Sequence, residues 1–499
     1  MLAAGLRKVL NVGDHDVVLM FSENSIWYPI VMLGTICAGG IFTGANPGYT
    51  CSEAELVHQL KVSGSKCIFT DRERLAIALQ ATQAVGLPLS SLLLVDSEDD
   101  DKMADIPTLS SLLVHGSHSW KTASKADSLT DRPVVLNFSS GTTGLPKACC
   151  ITHGNLVANS EQTLHLDRMA RAQRGDPAYA VNDVHCAFLP LYHAMGILTY
   201  CVVNVKRYST TVIMPRFDLK ELLRSIQSFK VTNLLLVPPV VSMLVNSALV
   251  SQFDLSSVKF LICGAAPLQR ELELQLETIF SKTGARSRQG WGMSEATMAV
   301  TLFGPDEFDP FHESVGYLVP NMQIKIIKED GQCAIYGEEG EAIIRGPNVF
   351  KGYYKNDAAT KETFTGDGWL ITGDIVRISK TGLVSVVDRK KELIKVKGFQ
   401  VAPSELEGHL LQHPGVQDCA VIRVLRVNGH EQPQAHVIRR QPDVTTESIL
   451  AFMDKRLSAH KRITGGVIFT DVIPKSRSGK ILRRMLKDGH ASSDTRSRL

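Results

Sequence analysis

The sequence predicts an α/β fold up to about Ser314, a β-rich region from there to Asp388, and a small α+β domain at the end. Three observations predict it. Short apolar runs alternate with amphipathic helical stretches through the first part. The texture then changes to short strands punctuated by Gly331, Gly340, Gly352 and Gly382. A charged cluster, Asp388-Arg389-Lys390-Lys391-Glu392, precedes a compact final segment, as a domain linker would.

At 499 residues the chain exceeds one ordinary core, and two to four domains or subdomains are expected. A hydrophobic content of 44% with 21% charged residues is that of a soluble globular protein. The net charge of +3 argues against nucleic-acid binding carried by overall charge. Ten cysteines lack any Cys-x-x-Cys spacing, which reads as buried thiols in a reducing compartment. Met1 to Asn11 has no secretory pattern, and the uncharged run Ile30 to Ala45 is shorter than a span and broken by glycines. It reads as a buried helix followed by a strand.

In chain order, Val17 to Phe21 and Cys67 to Thr70 read as strands around a helix at Ser52 to Lys61. Ser97 to Arg132 has little periodicity and reads largely as a surface excursion. Val134 to Phe138 is a strand leading into Ser139-Ser140-Gly141-Thr142-Thr143-Gly144-Leu145-Pro146-Lys147. Hydroxyls and glycines in that density suit a turn whose N–H and O–H groups wrap a phosphate, with Lys147 adding charge. The common nucleotide loop needs four residues between its glycines and Gly-Lys-Ser/Thr at its end, so this is a different device.

Further on, Leu219 to Phe229 reads as a helix, Asn233 to Val237 as a strand ending at Pro238-Pro239, and Val240 to Leu249 as a helix. Val258 to Cys263 follows as a strand, then the small-residue turn Gly264-Ala265-Ala266-Pro267 and a helix over Gln269 to Thr283. In the last segment, helices are expected at Ser404 to Leu411 and Thr446 to Leu457. Strands are expected near Val416 to Val424 and Gln434 to Ile438. Gly479-Lys480 then presents a lysine on a glycine turn.

Four features in this order suggest one chemistry. They are the phosphate loop, the turn at 264–267 that lets a flat ring approach the backbone, Gln289-Gly290-Trp291-Gly292-Met293-Ser294-Glu295 with a stacking aromatic and a carboxylate for a metal, and Asp374 for ribose hydroxyls. With these motifs the chain resembles the adenylate-forming superfamily of acyl-CoA synthetases, luciferases and peptide-synthetase adenylation domains, and within it the 4-coumarate–CoA ligase branch, from about Val17 to Lys487. The resemblance implies a large N-terminal domain (1–387) of two α/β subdomains and a β-barrel-like one, a hinge at 388–391, a small mobile C-terminal domain (392–487), and a polar tail (488–499). It also implies two half-reactions: a carboxylate attacks MgATP to give acyl-adenylate and pyrophosphate, then coenzyme A displaces AMP.

By the same resemblance, Ser139, Ser140, Gly141, Thr142, Thr143 and Lys147 hold the ATP phosphates. Ala265, Gln289, Gly290 and Ser294 line adenine and the acyl group, Glu295 takes Mg²⁺, and Asp374 and Arg389 hold the ribose. Lys391 is the hinge, Lys480 is the adenylation lysine, and Lys395, Lys397 and Gly398 belong to the thioester-forming face. Arg216 matches a position that contacts coenzyme A. His193 gates the acyl pocket with Met195 and Met298 nearby; where hydroxycinnamate ligases carry an aromatic hydroxyl two residues after that histidine, this chain has Met195. An apolar medium- or long-chain fatty acid, or a similarly apolar aryl or polyketide acid, is therefore expected. The alternatives are a 4-coumarate or other aryl-acid ligase, a luciferase-like or carrier-loading adenylating enzyme, and an inactive homologue acting as a binding protein.

Departures from the family pattern are Ala148 after the loop, Trp291 for tyrosine and Ser294 for threonine. Met1 also falls where relatives have several dozen preceding residues, so an N-terminal strand or two is expected to be missing. His409 and His413, four apart, read as a solvated helix end rather than a metal pair. Ser497-Arg498-Leu499, on a polar tail, is a close variant of the Ser-Lys-Leu address; it implies a peroxisomal import receptor as partner, with the cytosol as the alternative location.

Overall fold

Val17–Phe21 is buried at every residue, the pattern of a strand covered on both faces. In the computed structural model it lies inside a six-stranded sheet ordered Leu92–Leu94, Ser65–Thr70, Val17–Phe21, Ile41–Gly44, Pro133–Ser139, Lys147–Thr152. The structure describes residues 1–48, 53–95, 106–120, 131–139, 145–175, 182–396, 399–425, 430–476 and 479–487. The neighbours are parallel except for the last two strands, which are antiparallel and set Ser139 opposite Lys147. That register brings the two ends of the predicted phosphate loop together, although residues 140–144 lie outside the described residues.

A second, fully parallel sheet runs Ser287–Gln289, Phe260–Cys263, Asn233–Leu236, Val184–Ala187, Thr210–Ile213. Its strands point one way, so Ala187, Leu236, Cys263 and Gln289 end on a common edge, the edge where open α/β sheets bind ligands. The run Ile30 to Ala45 is the predicted helix and strand, Trp27–Cys37 and Ile41–Gly44. Among the described residues no helix is long and apolar enough to cross a membrane. All described cysteines are free thiols, buried except Cys37 and Cys333.

Two helices differ instructively from expectation. Pro238-Pro239 open the helix Pro238–Asn246 rather than only ending the strand, because a fixed φ near −65° suits the first helical turn. The helix His153–Arg174, which the sequence reading passed over, is the longest described. Its signal was Thr152 with Asn155, a reciprocal cap in which Asn stands where Glu or Gln is usual.

The β-rich region contains an antiparallel sheet of Gln323–Ile327, Glu339–Arg345, Leu370–Ile378 and Val384–Arg389. Asp388 and Arg389, the expected start of the hinge, are the end of its last strand. Asp388 is buried, and accepts from the N–H of Arg389 and of Ser404. The small domain has its own core, including Ile394, Leu406, Leu410, Val421, Val437 and Ile449. Its helices are Pro403–Leu411 and Thr446–Asp454, and its sheet is Val416–Leu425, Glu431–Arg439 and Val467–Phe469. It docks on the large domain through Gln412 to Glu271 (2.8 Å), Gln269 to the Ser404 carbonyl (3.3 Å) and Arg440 to Asn246 (3.1 Å).

Candidate active site

A cavity of about 970 Å³ lies at the common strand edge and is lined also by Lys391 and Lys480. Gly264, Ala265, Gly290 and Trp291 form one wall. Ala265 has φ +71°, a left-handed conformation rare for a residue with a Cβ, so the turn is held against a local preference at the site. Gly292 is required by contact: a Cβ there would come within 1.7 Å of the Met298 carbonyl oxygen. The Trp291 indole N–H donates to Asp374 Oδ2 at 2.9 Å, and Arg389 Nε pairs with Asp374 Oδ1 at 2.6 Å. The antiparallel register places Asp374 directly opposite Arg389. Burial pushes the Asp374 carboxyl above the usual range, opposed by Arg389, the indole and Lys480.

The other wall carries the charges. Glu295, in the turn Ser294–Ala296, accepts through Oε1 from Ser139 Oγ (3.1 Å) and from the Tyr353 hydroxyl (2.9 Å). Lys147 Nζ stands 4.5 Å above the centre of the Tyr353 ring. Lys480 sits on a turn closed by Ser476 N–H to its carbonyl (2.8 Å) and by its own N–H to Ser476 Oγ (3.1 Å). Gly479 has φ +85° and a Cβ there would meet the Pro239 ring at 2.7 Å, so the lysine enters the cleft behind a residue that must be glycine. Burial and then the Arg389 charge push Lys480 below the usual lysine range, with Glu392, Asp374 and Glu295 opposing. Desolvation and then the Lys480 charge hold His193 down at about 4, so its imidazole is neutral at pH 7.

The structure thus gathers Ser139, Lys147, His193, Met195, Ala265, Gly290, Ser294, Glu295, Met298, Arg389, Lys391 and Lys480 around one cavity, with Asp374 bonded to its wall. Three expected residues are elsewhere. The Gln289 amide is spent bracing the turn: it accepts from Leu268 N–H (2.9 Å) and donates to the Leu268 carbonyl (3.0 Å) and to Glu273 (3.2 Å). Lys395 is exposed on the hairpin Ile394–Val396/Phe399–Val401, where its N–H donates to Glu431. Arg216 is half-exposed and paired with Glu23 (3.0 Å) and Glu73. Ser140, Gly141, Thr142, Thr143, Lys397 and Gly398 lie outside the described residues, as do Ser497, Arg498 and Leu499. Tyr353 is the residue sequence reasoning missed; its link to Glu295 spans 58 positions and leaves no local pattern. His413, expected at a solvated helix end, is instead buried and held by Gly415 N–H and Ser448.

The donors suit the expected magnesium ion: a carboxylate and the Ser139 hydroxyl, hard oxygens beside a lysine that faces the same cleft.

The model of the AMP-binding enzyme family matches residues 1–354, and that of the AMP-binding enzyme C-terminal domain matches residues 405–480. Acyl-CoA synthetase ACTT5 of Alternaria alternata is 36% identical over 98% of this chain and 83% of its own length. The 4-coumarate–CoA ligase of Pinus taeda is 36% identical over 97% of this chain and 87% of its own. Among solved structures, ATP-bound MatB from Rhodopseudomonas palustris superposes with a TM-score of 0.85 at 26% identity, covering 98% of this chain and 91% of that one.

Proposed function

The chain belongs to the AMP-binding enzyme family and is an AMP-forming acid–CoA ligase, and on that premise we propose that its acid has an apolar, medium- or long-chain acyl body. ATP and coenzyme A are the co-substrates. The acid's carboxylate oxygen attacks the α-phosphorus, a P–O bond forms, and the bond to pyrophosphate breaks. The coenzyme A sulfur, losing its proton, then attacks the acyl carbonyl and AMP leaves. Both partners of the first step are anionic, so the chain must supply fixed positive charge where they meet. Lys480 is that charge, held desolvated in the cleft next to Arg389. Arg389 and Trp291 orient the Asp374 carboxylate toward a ribose, and Trp291 and Ala265 flank the base. Magnesium, held by Glu295 with Ser139, would neutralise phosphate charge when bound.

Thiolysis needs a route for pantetheine in place of phosphate screening. Lys480 lines the cleft while Lys395 stands outside it, which supports the reading that the small domain turns about Lys391 between steps. For the acid, the observation that carries the reading is Met195. Its sulfur lies 3.3 Å from where a Gly264 Cβ would stand, so a flexible apolar side chain occupies the position of a phenol reader. Leu189, Leu235 and Ile262 continue that apolar wall.

The test is thioester formation from hexanoate to palmitate, phenylacetate and 4-coumarate with MgATP and coenzyme A, read by mass, with Lys480→Ala as control. Aliphatic thioesters that collapse in the variant support the proposal. Thioester from 4-coumarate alone would overturn the apolar-acid reading and keep the ligase. We also propose that Ser497-Arg498-Leu499 directs peroxisomal import. Removing the tripeptide from a fluorescent fusion should abolish punctate localisation, and unchanged puncta would refute it.

A further inference from the structure

The cavity does not end at the apolar wall. It follows the face of the parallel sheet from Gly264 back to Lys259, and that length of strand is roughly 16 Å. Its far end is polar. His185, paired across the sheet with Asn233, lines it together with Asn204 and Arg207. Arg171 donates from Nε to Asp167 and from Nη2 to Asp183, both at 2.9 Å. Arg207 stands 3.7 Å and 3.9 Å from the same two carboxylates. Arg171 and Arg207 are thus matched by Asp167 and Asp183.

Three atoms there have no hydrogen-bond partner in the protein: His185 Nε2, Asn204 Oδ1 and Arg207 Nε. His185 is 6% exposed and Asn204 1%. The Asn204 amide nitrogen donates to Thr211 Oγ1 at 3.0 Å, which leaves Oδ1 as the unpaired acceptor. Burial, and then the Arg207 charge, hold His185 down at about 3, so the imidazole is neutral and can donate or accept. Folding that buries polar atoms unpaired carries a desolvation cost that a guest of matching chemistry would relieve.

Resting on the ligase reading above, we infer that the acid has an apolar body and an uncharged hydroxyl at its far end, received by Asn204, Arg207 and His185. A hydroxyl donates to Asn204 Oδ1 and accepts from Arg207 Nε, and so satisfies both kinds of orphan. A methyl end satisfies neither. A carboxylate accepts only and leaves Asn204 Oδ1 unpaired.

The full chain is assayed with matched acids from octanoate to hexadecanoate, each as the parent, the ω-hydroxy acid and the dicarboxylic acid. From the length that spans the channel, kcat/KM for the hydroxy acid should exceed the parent by about tenfold or more, the size of one satisfied hydrogen-bond pair. Asn204→Leu and, independently, His185→Leu should bring that ratio toward one, with thermal melts confirming fold; should a variant fail to fold, the unmodified chain decides alone. Thioester formation with the parent acid equal or better at every length, a preference for the diacid, or a ratio that survives both substitutions would overturn the inference and leave the ligase intact. No pyrophosphate exchange and no thioester from any acid would overturn the ligase reading and this inference together.

Discussion

Replacing Trp291 by Phe keeps an aromatic face in the cleft and removes one donor. Asp374 Oδ2 then loses the indole N–H at 2.9 Å, while Oδ1 keeps Arg389 Nε at 2.6 Å. A hydrogen bond to a buried charged group contributes about 1.5–3 kcal/mol. Expressed wholly in nucleotide binding, that is a loss of roughly 10- to 150-fold in AMP affinity. Because the indole bond is already made in the unliganded fold, part of that loss should also appear as a lower melting temperature, limited by the Arg389 pair that survives. The pH dependence should change as well. Burial already raises the Asp374 pKa, and taking away a donor to its charged form raises it further. In the proposed role the carboxylate is the form that accepts from ribose, so affinity should be present above that pKa and lost as pH falls through it. Trp291→Phe should therefore lose AMP at a higher pH than the parent chain. Calorimetric titration with AMP between pH 4 and 8 reads both effects. Unchanged affinity together with an unchanged acid limb would show that the indole does not orient Asp374 for a ligand.

In the proposed role Lys480 acts when charged, and its lowered pKa means that adenylation should fall, as pH rises, earlier than an ordinary lysine would allow. Lys480→Arg stays charged and should flatten that alkaline limb at a lower absolute rate, measured by ATP–pyrophosphate exchange across pH. Tyr353→Phe removes one of the two hydroxyls on Glu295 while keeping the ring beneath Lys147, and should reduce pyrophosphate exchange about tenfold with little change in melting. In the small domain, partly buried Arg483 donates to Glu407 at 2.7 and 3.2 Å and to Glu392 at 2.9 Å. Arg483→Met strands a buried carboxylate and should cost about 3–5 kcal/mol, read as earlier proteolysis of that domain, whereas adding Glu407→Leu should recover most of it.

What the sequence determined by itself was whatever lies close along the chain. The strand before Ser139, the small-residue turn at Gly264, the run from Gly290 to Glu295 and the turn carrying Lys480 are each contiguous. Their meaning lies in local backbone freedom and residue type, which neighbours in sequence express directly. The alternation of strands and helices followed for the same reason, with helix ends shifting by a few residues where proline or a cap decided them. The long helix His153–Arg174 escaped because its cap is an unusual variant and its buried face is not cleanly periodic.

Only tertiary structure decided which side chains face the cavity. Gln289 belongs to a site motif, yet its amide is turned to Leu268 and Glu273. Tyr353, far from any motif, reaches Glu295. Asp388, in a charged run that reads as a domain linker, is buried and accepts from Ser404 N–H. The polar far end of the channel joins the helix His153–Arg174 to the parallel sheet, with Arg171 on one and His185 on the other. Such pairings depend on how distant elements pack, and a chain records them as single residues without spacing or period. They become legible only when the sheets bring those elements together.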